Sequence, residues 1–339
     1  MNTALLALIV AACSVLLTGM VRRYAIARSL LDHPNARTSH ATPTPRGGGV
    51  AIVLTFIAAV VWLAVQGTIP TGPASALIGA GAWVALIGFL DDHRHVPAGL
   101  RLAAHFIAAA WALAWLGGMP ALIAFDAELR LGWFGHLAAA IFLVWMLNLY
   151  NFMDGIDAIA AIEAITVALA GAALWWVASS SPGSLVPGLL AAATAGFLAW
   201  NFPPARIFMG DVGSGFLGLV LGVFALWSAH DDSRLFWGWV ILLGVFVVDS
   251  TLTLIRRVLR GERFYEAHRS HGYQHAARRF GEHRIVALGV GAINLAWLLP
   301  IAALVARGRL DGVLGVLIAY APLLWLAIRF KAGEKERSE

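Results

Sequence analysis

The sequence predicts an all-α, polytopic integral membrane protein, and three observations support this class. The 339 residues are 60% hydrophobic and only 13% charged, whereas an average soluble domain has about 25% charged residues. Apolar runs of about 17 to 22 residues, long enough to cross a ~30 Å hydrocarbon core, recur along the whole chain. The Lys and Arg residues gather in alternate connecting segments. These observations exclude a water-soluble enzyme.

About eleven apolar runs are candidate transmembrane helices. Lipid offers the backbone no hydrogen bonds, so a helix is the only structure that runs of this length can adopt there. In chain order the runs are 4–20, 47–66, 74–90, 100–116, 134–149, 158–178, 185–200, 213–229, 236–254, 285–305 and 312–330.

The distribution of positive charge predicts the orientation. If successive helices cross the membrane in alternating directions, 20 of the 24 Lys and Arg residues lie in connecting segments on the same side of the membrane. The positive-inside rule assigns that side to the cytoplasm. The amino terminus is then outside and the carboxyl terminus cytoplasmic. Anionic headgroups or phosphorylated ligands explain the net charge of +5, so no nucleic-acid partner is expected. The expected cytoplasmic loops are 21–46, 91–99, 148–157, 201–212 and 255–284.

The single cysteine, Cys13, lies in the first apolar run. It has no partner for a disulfide and cannot form a Cys-based metal site.

The first candidate site is the acidic pair Asp91 and Asp92 in GFLDDHRH, at the end of the third run. Adjacent carboxylates repel each other, so we expect a divalent cation, a basic partner or a proton beside them. The alternative is a solvated helix end in which the pair binds Arg94 or Arg101.

The motif NLYNFMDGIDAIA places two amides and two carboxylates in an otherwise apolar stretch, and its chemistry lies in Asn151, Asp154 and Asp157. An unbroken helix would put Asn148 and Asp157 on opposite sides, at about 100° per residue. Gly155 offers a break that lets them converge. The alternative role of Asp157 is an N-cap for the sixth helix.

The third motif, NFPPARIFMGDVGSG, begins at Asn201. Pro203 and Pro204 are expected to end the seventh helix, and the glycines let backbone N–H groups approach a phosphate at the start of the eighth. Asp211 can cap that helix or bind Mg²⁺. The glycines also suit close helix packing.

Two basic segments complete this face. In the first, Arg37 and Arg46 could bind phosphate, but taken alone the segment is better explained as an ordinary positive-inside loop. The second, HRSHGYQH, contains His268, Arg269 and His271. Its three histidines would lie on one face if the segment were helical, which might suggest a zinc site. The sequence has no cysteine there to support zinc binding, so anion binding is favoured.

Together, DDHRH, NLYNFMDGIDAIA, NFPPARIFMGDVGS and HRSHGYQH resemble the polyprenyl-phosphate N-acetylhexosamine-1-phosphate transferase superfamily, glycosyltransferase family 4, over nearly the whole chain. DHPNARTSHATPTPRGGG and HRSHGYQH are most similar to the branch that initiates bacterial surface polysaccharides, such as O-antigen-like chains. They are less similar to the phospho-muramoyl-pentapeptide translocase. The resemblance implies a single transmembrane catalytic domain, residues 1–339, in the bacterial cytoplasmic (inner) membrane with its active site on the cytoplasmic face.

The resemblance implies transfer of a sugar 1-phosphate from a UDP-linked N-acetyl amino sugar to undecaprenyl phosphate, with release of UMP. Mg²⁺ is the implied cofactor, with Mn²⁺ as an alternative, and Asp211 is its implied ligand. Phe208 is expected to stack on uracil. The implied catalytic residues are Asp91, Asp92, Asp154 and Asp157. The implied substrate-binding residues are Asn151, Asn201, Phe208, His268, Arg269, His271, Arg37 and Arg46.

Two departures from the family pattern concern the donor. The translocase's lysine after the acidic pair is missing, and Ala158 stands where glycine is usual. The identity of the transferred sugar therefore stays open. Whether the protein forms a homodimer is also left open.

Two other functions remain as alternatives. A secondary transporter usually binds its substrate near the bilayer midplane, whereas these acidic residues gather at one surface. A CDP-alcohol phosphotransferase also has aspartates and DG at the inner face, but the rest of its pattern is missing after Gly155.

Overall fold

The computed structural model describes residues 3–34, 42–94, 96–262 and 268–334. A π-helical turn, Asn294–Leu298, joins α12 to α13. The helices are α1 Thr3–Ala27, α2 Gly49–Val65, α3 Thr71–His93, α4 Ala98–Leu116, α5 Gly132–Met153, α6 Ile159–Ser179, α7 Leu185–Asn201, α8 Asp211–Asp231, α9 Arg234–Leu242, α10 Gly244–Leu259, α11 Gly272–Phe280, α12 His283–Ile293, α13 Leu299–Ala306 and α14 Gly312–Arg329.

Each of the eleven apolar runs is largely helical, which confirms an all-α polytopic membrane protein. In the described part of the chain, 9 helical spans are long and apolar enough to cross a membrane. The α2 helix is apolar but has only 17 residues, and α9 and α10 together account for the remaining run.

The expectation of one continuous helix over 236–254 is wrong, because the chain bends by 69° between α9 and α10. The Tyr320 hydroxyl donates to the Val240 carbonyl at 2.6 Å, and in a straight helix that carbonyl would accept from the Gly244 N–H. Gly244 itself packs closely on Tyr320, since a Cβ there would lie 2.7 Å from its ring. A tertiary contact with α14 therefore accompanies the break.

Helix α8 forms the centre of the bundle and packs against α3 and α5. All residues of 212–229 are buried. Small residues allow backbones to approach: a Cβ on Gly49 would lie 2.3 Å from the Gly213 Cα, and one on Gly218 would lie 2.4 Å from the Met146 carbonyl. Such packing replaces the hydrophobic effect that is missing between helices in lipid. It fixes the position of Asp211, the first residue of α8.

Two short strand pairs were not expected. The antiparallel pair β1 Leu31–Asp32 and β2 Thr44–Pro45 lies before α2, and β3 Leu122–Ala124 pairs with β4 Ala127–Leu129. Phe125 and Asp126 form the second turn with φ of 50° and 60°, as in a tight two-residue hairpin. This second hairpin contacts the start of α14, where Asp311 accepts the Phe125 N–H at 2.6 Å.

Candidate active site

The ends of α3 and α8 meet through Asp92. Its buried carboxylate accepts the backbone N–H groups of Asp211 at 3.2 Å and Val212 at 3.3 Å. A Cβ on Gly210, which has a φ of +76°, would lie 2.5 Å from the Asp92 Oδ2. The expectation that Asp211 could cap α8 is therefore wrong, because Asp92 of α3 provides the cap. Asp92 positions Asp211.

We expect Asp92→Ala to lower stability by about 1.5 to 3 kcal/mol, the usual contribution of hydrogen bonds to a charged group. The N-terminal amides of α8 would lose their acceptor, whereas Asp92→Asn keeps one oxygen and should lose less. Thermal unfolding of the purified variants checks the order. An inactive Asp92→Ala protein with unchanged unfolding temperature would show instead that Asp92 acts in the chemistry.

Arg101 in the first turn of α4 connects Asp91 to Asp211. Its Nη1 forms a very short ion pair with Asp91 and lies 3.5 Å from the Asp211 Oδ2. The Val96 N–H also donates to Asp91, at 2.8 Å. Sequence reasoning treated Arg101 only as a neutralising partner. Its position ten residues after Asp91, at the start of an apolar run, is the signal that could have identified it.

The motif NLYNFMDGIDAIA, which we call the central motif, spans the junction of two helices. Its helical structure is interrupted between α5, which ends at Met153, and α6, which starts at Ile159. Ala158 has a φ of 66°, a conformation that favours glycine; this explains why glycine is usual here. The half-buried Asp154 carboxylate and the Asn151 amide have no hydrogen-bond partner among the described residues.

Asp154 lies in a negative environment. Burial raises its pKa well above the ordinary value, and the negative charges of Asp211, Asp92 and Asp157 raise it further. Asp154 therefore belongs with Asp91, Asp92 and Asp211 in one group, which we call the acidic cluster.

Asp157 ties the central motif to two other segments. Its Oδ2 accepts the Ala205 N–H at 3.0 Å, and its Oδ1 lies 3.3 Å from the His283 Nδ1. The alternative of an N-cap for α6 is wrong, because Ala158 occupies the cap position and no side chain caps the helix. Sequence reasoning missed His283, which lies 126 residues away in the chain.

Asn201, which was expected to bind substrate, is buried and makes its side-chain hydrogen bonds within the protein. It is 4% exposed, its Oδ1 accepts the Ala158 N–H at 2.9 Å, and its Nδ2 donates to the Ile207 carbonyl at 2.9 Å. Both ends of the amide are thus used within the protein. Asn201 joins the central motif to the segment before α8 and positions both.

The strand β2 borders the same segment. The half-buried Phe208 donates its N–H to the Pro45 carbonyl at 2.8 Å. Arg46 is half-buried and makes a very short hydrogen bond to the Asp92 carbonyl, so its guanidinium lies beside the acidic cluster. Arg37 lies outside the described residues.

Residues 268–271, the basic loop, precede α11, so the expected helical face of three histidines does not form. The rings of His268 and His271 stack with centroids 4.8 Å apart, with the half-buried Arg269 between them in the chain. The buried His271 lies 3.2 Å from Asp249 through its Nδ1. Burial is the main cause that lowers the pKa of His268 to about 3, followed by the electrostatic effect of the neighbouring His271 and Arg257. His268 is therefore neutral at pH 7.

The basic loop packs against the central motif. The Tyr273 hydroxyl donates to the Phe152 carbonyl at 3.0 Å, and a Cβ on Gly155 would lie 2.2 Å from that hydroxyl. Asp249 supports the loop by accepting the N–H groups of Gly272 at 3.0 Å and Tyr273 at 2.9 Å.

The carboxylates of the acidic cluster are compatible with a Mg²⁺ site only if water and phosphate oxygens supply the remaining ligands. In the described ranges no group of three His, Cys, Asp or Glu side chains could hold an ion. Mg²⁺ commonly uses only one or two carboxylates and completes its shell with water and substrate phosphates. The unpartnered Asp154 and the neighbouring Asp211 fit that requirement.

A groove of about 560 Å³ runs beside the acidic cluster, between α4 and α5. It has the volume of a ligand pocket and an almost wholly apolar wall. Its polar groups are Arg101 and Asn148. We call it the apolar groove; its lining is Ala98, Gly99, Arg101, Leu102, Phe106, Ile141, Val144, Trp145, Asn148, Phe152 and Leu254.

Comparison with known proteins shows similarity over most of the chain. The sequence profile described as glycosyl transferase family 4 matches residues 74–229, which include the acidic cluster but not the basic loop. The probable undecaprenyl-phosphate N-acetylglucosaminyl 1-phosphate transferase of Bacillus subtilis is 31% identical over 306 residues, 86% of this chain and 82% of the relative.

Two further relatives extend the comparison. The decaprenyl-phosphate N-acetylglucosaminephosphotransferase of Mycobacterium tuberculosis is 29% identical, covering 84% of this chain and 78% of the relative. The phospho-N-acetylmuramoyl-pentapeptide-transferase of Moorella thermoacetica is 33% identical, covering 67% and 73%.

Proposed function

Since the chain belongs to glycosyl transferase family 4 and is a polyprenyl-phosphate sugar-1-phosphate transferase, we propose that its donor is a UDP-linked N-acetyl amino sugar. UMP is the leaving product, and undecaprenyl phosphate is the acceptor. The first donor to test is UDP-N-acetylglucosamine, because the Bacillus and Mycobacterium relatives are named for that sugar. The site faces the cytoplasm of the inner membrane, and the product starts a surface polysaccharide.

One observation carries this proposal: the apolar groove reaches Arg101, and Arg101 also contacts Asp91 and Asp211. A polyprenyl chain in the groove would bring its phosphate to a guanidinium beside the acidic cluster. Arg is well suited to bind phosphate through its planar fork. The same residue thus links the lipid-binding surface to the reacting groups.

The reaction is a displacement at the donor's β-phosphorus. An acceptor phosphate oxygen forms the new P–O bond, the α–β bridging P–O bond breaks, and its electron pair leaves with UMP. A phosphate monoester with a second pKa near 6 is already mainly dianionic at pH 7, so a general base has little to remove. We therefore assign Asp91 to the positioning of Arg101 rather than to proton abstraction.

The charge on the phosphates is the main obstacle, because phosphoryl transfer depends on positioning and charge neutralisation. Arg101 and Arg46 provide positive charge at the acidic cluster, and Arg269 provides it from the basic loop. Asp211 and Asp154 would hold Mg²⁺, which would supply further positive charge for the donor diphosphate.

We place the nucleotide between the central motif and the segment before α8. The Asn151 amide has no partner among the described side chains, so it is available to a ligand. Phe208 offers a half-buried ring for the uracil, and Asn201 with Asp157 keeps the two segments together.

The decisive experiment incubates purified protein with undecaprenyl phosphate, Mg²⁺ and a panel of UDP-N-acetylhexosamines. We expect release of UMP and a lipid-linked sugar diphosphate by mass spectrometry. Transfer from CDP-alcohols would support the rival enzyme class and overturn the proposal. Solute uptake by proteoliposomes without lipid product would do the same in favour of a transporter.

We expect Gly99→Leu to raise the KM for undecaprenyl phosphate. Gly99 lines the apolar groove, and a Cβ there meets nothing within 4 Å, so the leucine fills the groove. Displacing about two buried methylenes, at ~0.8 kcal/mol each, corresponds to about a tenfold rise. The donor KM should stay unchanged.

Gly188→Leu is the matched control. Gly188 also lies in the first turn of a helix, α7, with open space around its Cβ, and it is not part of the groove lining. An unchanged acceptor KM in Gly99→Leu, or an equal rise in the control, would contradict binding of the lipid chain in the groove.

A further inference from the structure

A second pocket, of about 330 Å³, lies between α10, α11, α12 and α14. Apart from Asp249 and Tyr273, its lining is apolar or glycine, and Ile285, Val290, Leu323 and Phe330 are representative. It extends from Ile285 to Ile293 on α12, about 12 Å at 1.5 Å per residue. We call it the α12–α14 pocket.

Two aromatic rings in the wall of this pocket, at the C-terminal ends of α11 and α14, have basic neighbours in the chain. The Phe280 and Phe330 rings are 6.0 Å apart between centroids. Arg279 precedes the first ring in the chain, and Arg329 and Lys331 flank the second; all three are exposed. None has an ion-pair partner within the described ranges, whereas nearby Arg284 is paired with Glu282 at 3.3 Å.

We propose that the α12–α14 pocket binds an anionic phospholipid of the surrounding membrane. One acyl chain fills the apolar pocket, and the headgroup phosphate lies against Arg279 and Arg329. Charge complementarity selects this occupant, because the exposed cations next to Phe280 and Phe330 in the chain favour an anionic headgroup over a zwitterionic one. The apolar wall excludes a water-soluble phosphate compound.

The α12–α14 pocket is distinct from the apolar groove, since the two share no lining residue. The acceptor phosphate requires Arg101 beside the acidic cluster, and Arg101 does not line the α12–α14 pocket. The two lipids therefore occupy separate places on the bundle.

The bound acyl chain also supports the basic loop. Asp249 and Tyr273 belong to the pocket wall, and Asp249 accepts hydrogen bonds from the backbone that follows His271. A filled pocket holds α11 against α10 and so reduces the opening of this loop. This gives a readout that does not depend on the transferase reaction.

The first test counts lipids on the purified protein by native mass spectrometry, with phosphatidylglycerol and phosphatidylcholine as probes. We expect one tightly bound phosphatidylglycerol and its loss in Gly289→Leu. Gly289 lines the pocket, and a Cβ there meets nothing within 4 Å, so the leucine fills the space without displacing a neighbour. Gly188→Leu should retain the lipid.

The second test removes the charges. Arg279→Gln with Arg329→Gln should weaken phosphatidylglycerol binding by roughly thirtyfold, at about fivefold per cation near an anionic lipid. A second pair of exposed basic residues is the charge-matched control: Arg23→Gln on α1 with Arg28→Gln directly after that helix. Hydrogen exchange over 268–276 should slow with phosphatidylglycerol in the wild type but not in Gly289→Leu.

Three results would overturn the proposal. Equal retention of phosphatidylcholine and phosphatidylglycerol would remove the role of the cations. Displacement of the bound lipid by undecaprenyl phosphate would assign the pocket to the acceptor. A Gly289→Leu protein that changes oligomeric state, with no lipid bound to the wild type, would show that a second copy covers the pocket.

Discussion

Asp211→Asn is expected to lower Mg²⁺-dependent UMP release by about 10²- to 10³-fold, the usual loss when one preorganised electrostatic group is removed. The substitution removes the negative charge that we propose binds the cation but keeps the shape of the side chain. Because Asp92 caps α8 through backbone N–H groups, Asp211 is not needed to start the helix. The fold should therefore be preserved.

The measurement is single-turnover UMP release over a range of Mg²⁺ concentrations, together with the unfolding temperature. We expect the variant to need more Mg²⁺ for half-maximal rate at an unchanged unfolding temperature. Turnover close to that of the wild type would remove Asp211 from the metal site.

Arg101→Gln should reduce turnover by a comparable factor, about 10²- to 10³-fold. It removes the cation that contacts both Asp91 and Asp211, and with it the positive charge at the end of the apolar groove. Arg101→Lys should recover only part of the rate, because a lysine ammonium is a point charge and lacks the planar fork with which a guanidinium binds phosphate.

Arg94→Gln is the control for Arg101→Gln, since Arg94 follows the same acidic pair and is exposed. Steady-state assays of both variants should show near-normal turnover for Arg94→Gln and a large loss for Arg101→Gln. The reverse result would mean that Arg94 neutralises the acidic pair during the reaction.

Sequence alone predicted the helices well, because an apolar run of membrane length has one stable backbone structure in lipid. It could not predict the bend at Leu243, which is accompanied by a hydrogen bond from the Tyr320 hydroxyl to the Val240 carbonyl, 80 residues away in the chain. The β3–β4 hairpin was missed because its turn is Phe125-Asp126 rather than a sequence rich in glycine.

The residues of the candidate site could be proposed from the sequence, but the individual role of each residue could not. The hydrogen bonds of Asp92 reach 119 and 120 residues along the chain. Asn201 likewise binds Ala158, 43 residues away. Motif reasoning places such residues near a substrate, whereas only the folded chain shows which oxygens and amides are already used.

The close packing of α8 limits which residues of the candidate site can be substituted during evolution. Asp211 is held by a helix whose glycines touch neighbouring backbones, so even an added methyl group at Gly213 would lie 2.4 Å from Met209. Residues 268–271 lie in a loop and not in the centre of the bundle. We expect new sugar preferences to evolve through positions of that loop other than Arg269, with the phosphate chemistry intact, and inhibitors directed at α8 to meet fewer escape substitutions than inhibitors directed at the loop.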